Sequence, residues 1–274
     1  MAVRTSPSLR GARVPQLPRL SLAPLRPRGS LELDERRTAR SKDTLPPFER
    51  WDEFLSRFEW RQGEHLTTIG PTGSGKTVLN RALLRQWRYV VVLGVKNRDP
   101  ELYAPFQAQG YQLERHFDPD VPDNADSRRV LFVPHTTEHG AAGRKKKAAA
   151  FRTALNDIYD AGDWTVYADD VQYLADQLRL GTELEELWML GRSEGVTLVA
   201  SSQEPVDIPV MAYGMATHLF LYGNPDLRRA QRMAELTGMN REIAVETILS
   251  LPEHEFLYIN RKTRQMVRSK VILT

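Results

Sequence analysis

The 274-residue sequence contains no cysteine. That excludes disulfides and thiolate metal sites, and removes any need for an oxidising compartment. No run approaches the roughly 18 apolar residues that a bilayer crossing needs, so the sequence reads as soluble, without membrane insertion. Acidic residues are missing before Glu32, while residues 1–50 carry eleven Lys/Arg against five Asp/Glu. With an overall charge of +3, this leaves residues 51–274 at −3. The bulk of the chain is therefore not a basic protein, and affinity for nucleic acid has to come from a local patch or from the tail. No internal period appears, which argues against a solenoid.

What is present first is a proline-punctuated start. Prolines at 7, 15, 18, 24 and 27 among Arg, Ser and Leu forbid a continuous helix. Residues 1–47 are expected to be a disordered basic tail, readable as a solvated segment, a DNA- or partner-binding arm, or a transit peptide. From residue 48 the composition shifts to that of a folded domain, 48–274, which opens on Phe48, Trp51, Phe54, Leu55 and Phe58 at helical spacing.

Residues 65–80, HLTTIGPTGSGKTVLN, hold the strongest chemical signal. Gly70-Pro71-Thr72-Gly73-Ser74-Gly75-Lys76-Thr77 matches G-x-x-x-x-G-K-[ST], and Val78 continues it into a helix. The glycines let backbone N–H groups converge on phosphates, and the helix N-terminus favours an anion. Lys76 is expected to reach the β- and γ-phosphates of ATP, and the Thr77 hydroxyl to ligate Mg²⁺. The competing reading is a chance glycine loop, but Leu66–Ile69 before it reads as a strand and residues 78–87 after it as a helix. With the apolar run 89–95, YVVVLGV, these make a βαβ unit and an α/β fold.

Between 96 and 126 little is periodic, and only a short helix near 103–109 is expected. A strand is expected at 129–134 and a helix at 148–159, preceded by the basic cluster Arg144–Lys147, either a solvated helix start or a positive patch for a phosphate backbone. Thr165–Ala168 reads as a buried strand ending in two carboxylates: Asp169, placed to hold Mg²⁺, and Asp170, placed to polarise water. The alternative is an Asp helix cap. A helix at 184–190 and a strand at 196–201 lead to Gln203, a γ-phosphate sensor or an ordinary loop amide. Arg192 between them either faces a neighbouring subunit or is solvated. A strand at 217–222, helices at 226–236 and 241–249, and a hairpin of 255–260 with 266–272 close the chain.

The order GPTGSGKT, VYADD, GRSEGVTLVASSQEPVDIP and THLFLY resembles the FtsK/HerA superfamily of P-loop motor ATPases over roughly residues 60–225. The resemblance implies a RecA-like P-loop NTPase fold with a mainly parallel central sheet flanked by helices. It implies ATP contact by Gly70, Gly73, Gly75, Lys76 and Thr77, Mg²⁺ organisation by Asp169, catalysis by Asp170 and sensing by Gln203. Arg192 resembles the arginine such motors offer to a neighbour's ATP, worth about 10³ to 10⁵ in rate where it operates. Two residues depart from the superfamily: Asp170 stands where Glu is usual, and Glu204 where Arg is common. The large accessory domains of chromosome translocases are also missing, which brings the resemblance closer to compact phage or mobile-element ATPases.

The leading expectation is thus an ATP-hydrolysing ring, a hexamer, that moves or packages double-stranded DNA in the cytoplasm, or in the host cytoplasm if phage-encoded. One alternative is a nucleotide-gated adaptor with slow turnover, toward which Asp170 and Glu204 lean. The other is a small-molecule P-loop kinase, for which no arginine-bearing lid is legible. No [NT]-K-x-D follows a late strand, which disfavours GTP.

Overall fold

Apolar runs bounded by turn residues become the strands of one sheet. The computed structural model describes residues 45–121, 125–206 and 208–273; the expected tail lies outside them up to residue 44. Among the described residues nine strands run in the order β3-β4-β2-β5-β6-β1-β7-β8-β9. They are β1 Leu66–Ile69, β2 Tyr89–Leu93, β3 Gln112–Glu114, β4 Arg128–Phe132, β5 Thr165–Ala168, β6 Thr197–Ser202, β7 His218–Tyr222, β8 Glu255–Asn260 and β9 Gln265–Lys270. The pairings from β3 through β7 are parallel, and β8 and β9 complete the sheet antiparallel.

Alternate residues of each strand feed two cores. Val91, Leu93, Val166, Leu198 and Leu219 face one, while Val90, Val92, Tyr167, Val199 and Phe220 face the other. Because both faces are covered, the central strands read as continuous apolar runs. The second core is closed by α1 (Trp51–Arg57), α2 (Lys76–Leu83, prolonged by a 3₁₀ turn at Leu84–Gln86) and α3 (Pro100–Gln107). The first is closed by α4 (Gly140–Ala161), α5 (Gly181–Leu190), α6 (Val210–Gly214), α7 (Leu227–Ala234) and α8 (Arg241–Ser250). No described helix is long and apolar enough to cross a membrane.

Several boundaries differ from expectation, each for a local reason. Helix α3 begins at Pro100, earlier than 103, because Asp99 caps it by accepting from Leu102 N at 3.2 Å and proline suits the first turn. Strand β3 has no apolar alternation to announce it; it is an edge strand with Gln112 and Leu113 exposed. Helix α4 starts at Gly140, so the basic cluster lies inside it and not ahead of it. Of the aromatic stripe before β1, Phe54 is buried, whereas Phe48 precedes the helix and bridges to Arg268. Residues 46–49 run along the sheet edge: Arg268 N donates to Pro47 O at 2.7 Å, and Glu49 N to Arg268 O at 2.9 Å.

Parallel register decides what meets at the carboxyl edge. Leu93 aligns with Ala168, Ala168 with Ala200, and Ser202 with Ile69. Residues that follow β2, β5, β6 and β1 therefore emerge side by side, the crevice where ligands of open α/β sheets bind.

Candidate nucleotide site

The loop after β1 is shaped by its glycines. Gly70 N donates to Ser202 O at 3.1 Å, extending the ladder by one residue, and a Cβ at Gly70 would lie 2.5 Å from Tyr222 Cβ, so only glycine fits. Gly75, at φ +99°, turns the chain into α2, whose N-terminus no side chain caps. Its first N–H groups and the positive end of its dipole thus face the loop. Ser74 Oγ is buried and has no hydrogen-bond partner among the described residues.

Lys76 folds over this loop and donates to Gly70 O and Pro71 O, both at 2.8 Å. Burial pushes its ammonium down to about 8, against the opposing pull of Asp169. Thr77 Oγ1 donates to Asp169 Oδ1 at 3.2 Å, joining the start of α2 to the end of β5. The Tyr167 hydroxyl donates to the same oxygen, and burial, reinforced by the Asp169 charge, holds that phenol well above its ordinary range. From β6, Gln203 Oε1 accepts from Thr72 Oγ1 at 2.8 Å.

Together Thr72, Gly73, Gly75, Lys76, Thr77, Val78, Asp169 and Gln203 line a cavity of about 340 Å³. Five expected residues do not line it: Gly70, whose carbonyl accepts from Lys76, Pro71 and Ser74, which line the adjoining space beside Asn224 and His254, and Asp170 and Arg192. Asp170 Oδ1 accepts from Tyr173 N at 3.0 Å and caps the helical turn that begins at Val171. Arg192 lies before β6, exposed and packed against Gly63, which precedes β1. It is separated from Gln203 by the six residues of β6, about 20 Å at ~3.3 Å per residue, so it cannot serve the loop of its own chain.

The cavity also recruits residues that sequence reading passed over: Lys96, Asp99, Glu101, Leu102, Ser201 and Leu273. Lys96 Nζ pairs with Asp99 Oδ2 at 2.7 Å, and that hydrogen bond, with Asp99 and Asp169 nearby, raises its pKa. The Asp99-Pro100 helix start was the available signal for this group. Glu204, where an arginine is common in the resembled superfamily, pairs with Arg229 at 2.6 Å.

The donor set at Thr77 and Asp169, one hydroxyl and one carboxylate, suits a hard cation that takes most of its ligands from phosphates and water. Among the described residues no cluster of three or more His, Cys, Asp or Glu could hold a metal independently.

A parallel sheet with a glycine loop, an uncapped helix and a carboxylate two strands away defines the P-loop NTPase fold. Among solved structures the chain is similar to the genome packaging NTPase B204 of Sulfolobus turreted icosahedral virus 2 in complex with ATP-γS, at TM-score 0.55 and 16% identity, covering 78% of this chain and 100% of that one. It is also similar to VirB4 of Thermoanaerobacter pseudethanolicus, at TM-score 0.59 and 10% identity, covering 85% and 97%. A third is the cytoplasmic domain of the type VII secretion ATPase EccC of Thermomonospora curvata, at TM-score 0.51 and 16% identity, covering 77% and 25%. At these identities the likeness is one of fold. No protein-family model matches the sequence, and no curated protein matches it.

Proposed function

We propose that the chain is an FtsK/HerA-type ATPase that hydrolyses ATP and couples it to movement of double-stranded DNA, assembled as a ring. The observation that carries the ATPase reading is the Thr77–Asp169 contact, which brings the helix after the glycine loop and the acid-bearing strand to one point. DNA as cargo is supported by a structural neighbour, B204, the DNA-packaging ATPase from Sulfolobus turreted icosahedral virus.

In this reading the N–H groups of residues 73–78 receive the phosphates and Lys76 leaves the Gly70 and Pro71 carbonyls for phosphate oxygens. Thr77 and Asp169 would hold Mg²⁺, which neutralises phosphate charge when bound. Asp170 releases Tyr173 N to polarise the attacking water, and Gln203, tied to Thr72, reports loss of the γ-phosphate. Arg192 acts on the site of a neighbouring subunit, a role compatible with its place at the opposite edge of the sheet. Within the basic cluster, Lys146 pairs with Glu138 and Lys147 donates to Val95 O. Arg144 and Lys145, both exposed, are the cations we assign to the DNA backbone.

One observation favours a second reading, a nucleotide-gated adaptor with slow turnover: the short Asp170 side chain is already occupied as a cap. Steady-state ATP hydrolysis with and without linear duplex DNA, with Lys76→Ala as blank, separates the two. Stimulation by DNA that vanishes in the variant is the expected result; tight ATP binding with slow, DNA-indifferent turnover removes the motor and leaves the adaptor.

A further inference from the structure

The triphosphate reading leaves the nucleobase without a place, and the surroundings of Gly75 provide one. Beyond β9 the chain leaves the sheet and passes the phosphate loop as a short strap, residues 271–273. A Cβ at Gly75 would lie 3.7 Å from Val271 Cβ, 3.7 Å from His254 Nδ1 and 3.9 Å from Leu273 Cδ2. The strap is fastened there, because Val271 N donates to His254 O at 3.0 Å and His254 Nδ1 lies 3.3 Å from Ser74 O.

Val271 is buried, but Ile272 is 57% and Leu273 53% exposed. Together with Phe48 and Trp51 they line a groove of about 460 Å³. Leu273 lines both this groove and the cavity over the loop, so the two spaces meet at one side chain. The nucleotide cavity is also lined by Lys96, Asp99 and Glu101, and Lys96 there feels the charge of Asp169. These charged groups suit metal and water. The strap end offers apolar and aromatic surface, which suits a planar, weakly polar ring.

We propose that the base of the bound nucleotide seats in the groove between Phe48–Trp51 and the strap, with Leu273 as the wall dividing base from phosphates. This rests on the triphosphate reading above. The groove holds the ring by stacking and apolar contact, and makes nucleotide affinity depend on residues outside the glycine loop.

Two measurements on the full chain test it. Titrations with Mg-ATP and with inorganic tripolyphosphate are compared for the parent, Ile272→Ala and Phe48→Ala, both at exposed positions of the groove that do not line the phosphate cavity. ATP affinity is expected to fall about tenfold in each variant as apolar contact with the ring is lost, while tripolyphosphate affinity holds. Photolabelling of the parent with 2-azido-ATP is expected to mark residues 45–52 or 271–273. Unchanged ATP affinity in both variants of a parent that binds ATP, equal loss for both ligands, or labelling confined to residues 96–107 overturns the base groove alone. A parent that binds neither ligand overturns the triphosphate reading itself, and the groove with it.

Discussion

Lys76 keeps its charge in a place that disfavours it. Burial lowers its pKa to about 8, and phosphate oxygens within reach would raise it again. Above pH ~8 ATP binding should therefore take up a proton, approaching about one per site, and below pH ~7 the uptake should vanish. Calorimetry in two buffers of different ionisation enthalpy measures this; uptake that ignores pH would remove Lys76 from the phosphates. His65 makes the opposite commitment. Its Nδ1 accepts from Leu198 N at 3.0 Å and its Nε2 donates to Trp188 O at 3.1 Å, a pairing only the neutral ring satisfies. Burial, chiefly, pushes His65 and the buried His218 each to about 4, from 6.5. In both the folded pKa is the lower one, so the unfolded chain binds more protons between the two values. Their stabilisation is complete above pH ~6.5 and lost as pH falls toward 4, by about 3 kcal/mol each. Melting from pH 7 to 4.5 should show the loss, and His65→Gln should flatten its part of the slope; parallel slopes in parent and variant would rule out the assignment.

At the scale of elements, the turn after β5 carries one observed and one proposed duty on one side chain. Asp170 caps the following turn, the bland alternative its sequence context allows, while the proposed function asks the same carboxylate to activate water. Asn is as good a cap as Asp, so Asp170→Asn should leave stability within ~0.5 kcal/mol and reduce turnover by about 10² to 10⁴. Thermal melting and steady-state hydrolysis on the same preparation check both; unchanged turnover would make Asp170 a cap only. Strands β2, β5, β6 and β7 were legible because burial on both faces writes continuous apolar runs. Edge strand β3 was not, since its side chains are largely solvated and its residue types carry no period. Helix α4 was half legible: two glycines and a histidine near its start look like loop, and the burial of Gly143 against Glu138, a contact a Cβ would obstruct at 2.3 Å, is visible only in three dimensions.

At the scale of the molecule, Arg192 and the glycine loop occupy opposite edges of one sheet, which makes any catalytic role for Arg192 a property of an assembly. Arg192→Ala and Lys76→Ala should each abolish DNA-stimulated hydrolysis alone. Mixed in equal amounts, they should recover about a quarter of the parental rate, because one interface in four then joins an intact loop to an intact arginine. No recovery on mixing, with the oligomer intact by light scattering, would take Arg192 out of the mechanism.

Much of the site could be read from order along the chain. The loop Gly70–Thr77 is contiguous, its geometry is set by glycine backbone freedom and a helix start, and both are local. Asp169, Gln203 and the strands beneath them were readable because a buried parallel strand announces its own carboxyl end. What only the tertiary structure decided is convergence. Register across β2, β5, β6 and β1 brings Lys96 and Asp99 to the same crevice and carries Arg192 away from it, while the pairing of β1 with β7, β7 with β8 and β8 with β9 lays Val271–Leu273 beside Gly75, some two hundred residues upstream. Those placements depend on which strands pair and in what alignment, a property of the whole sheet that no stretch of sequence states by itself.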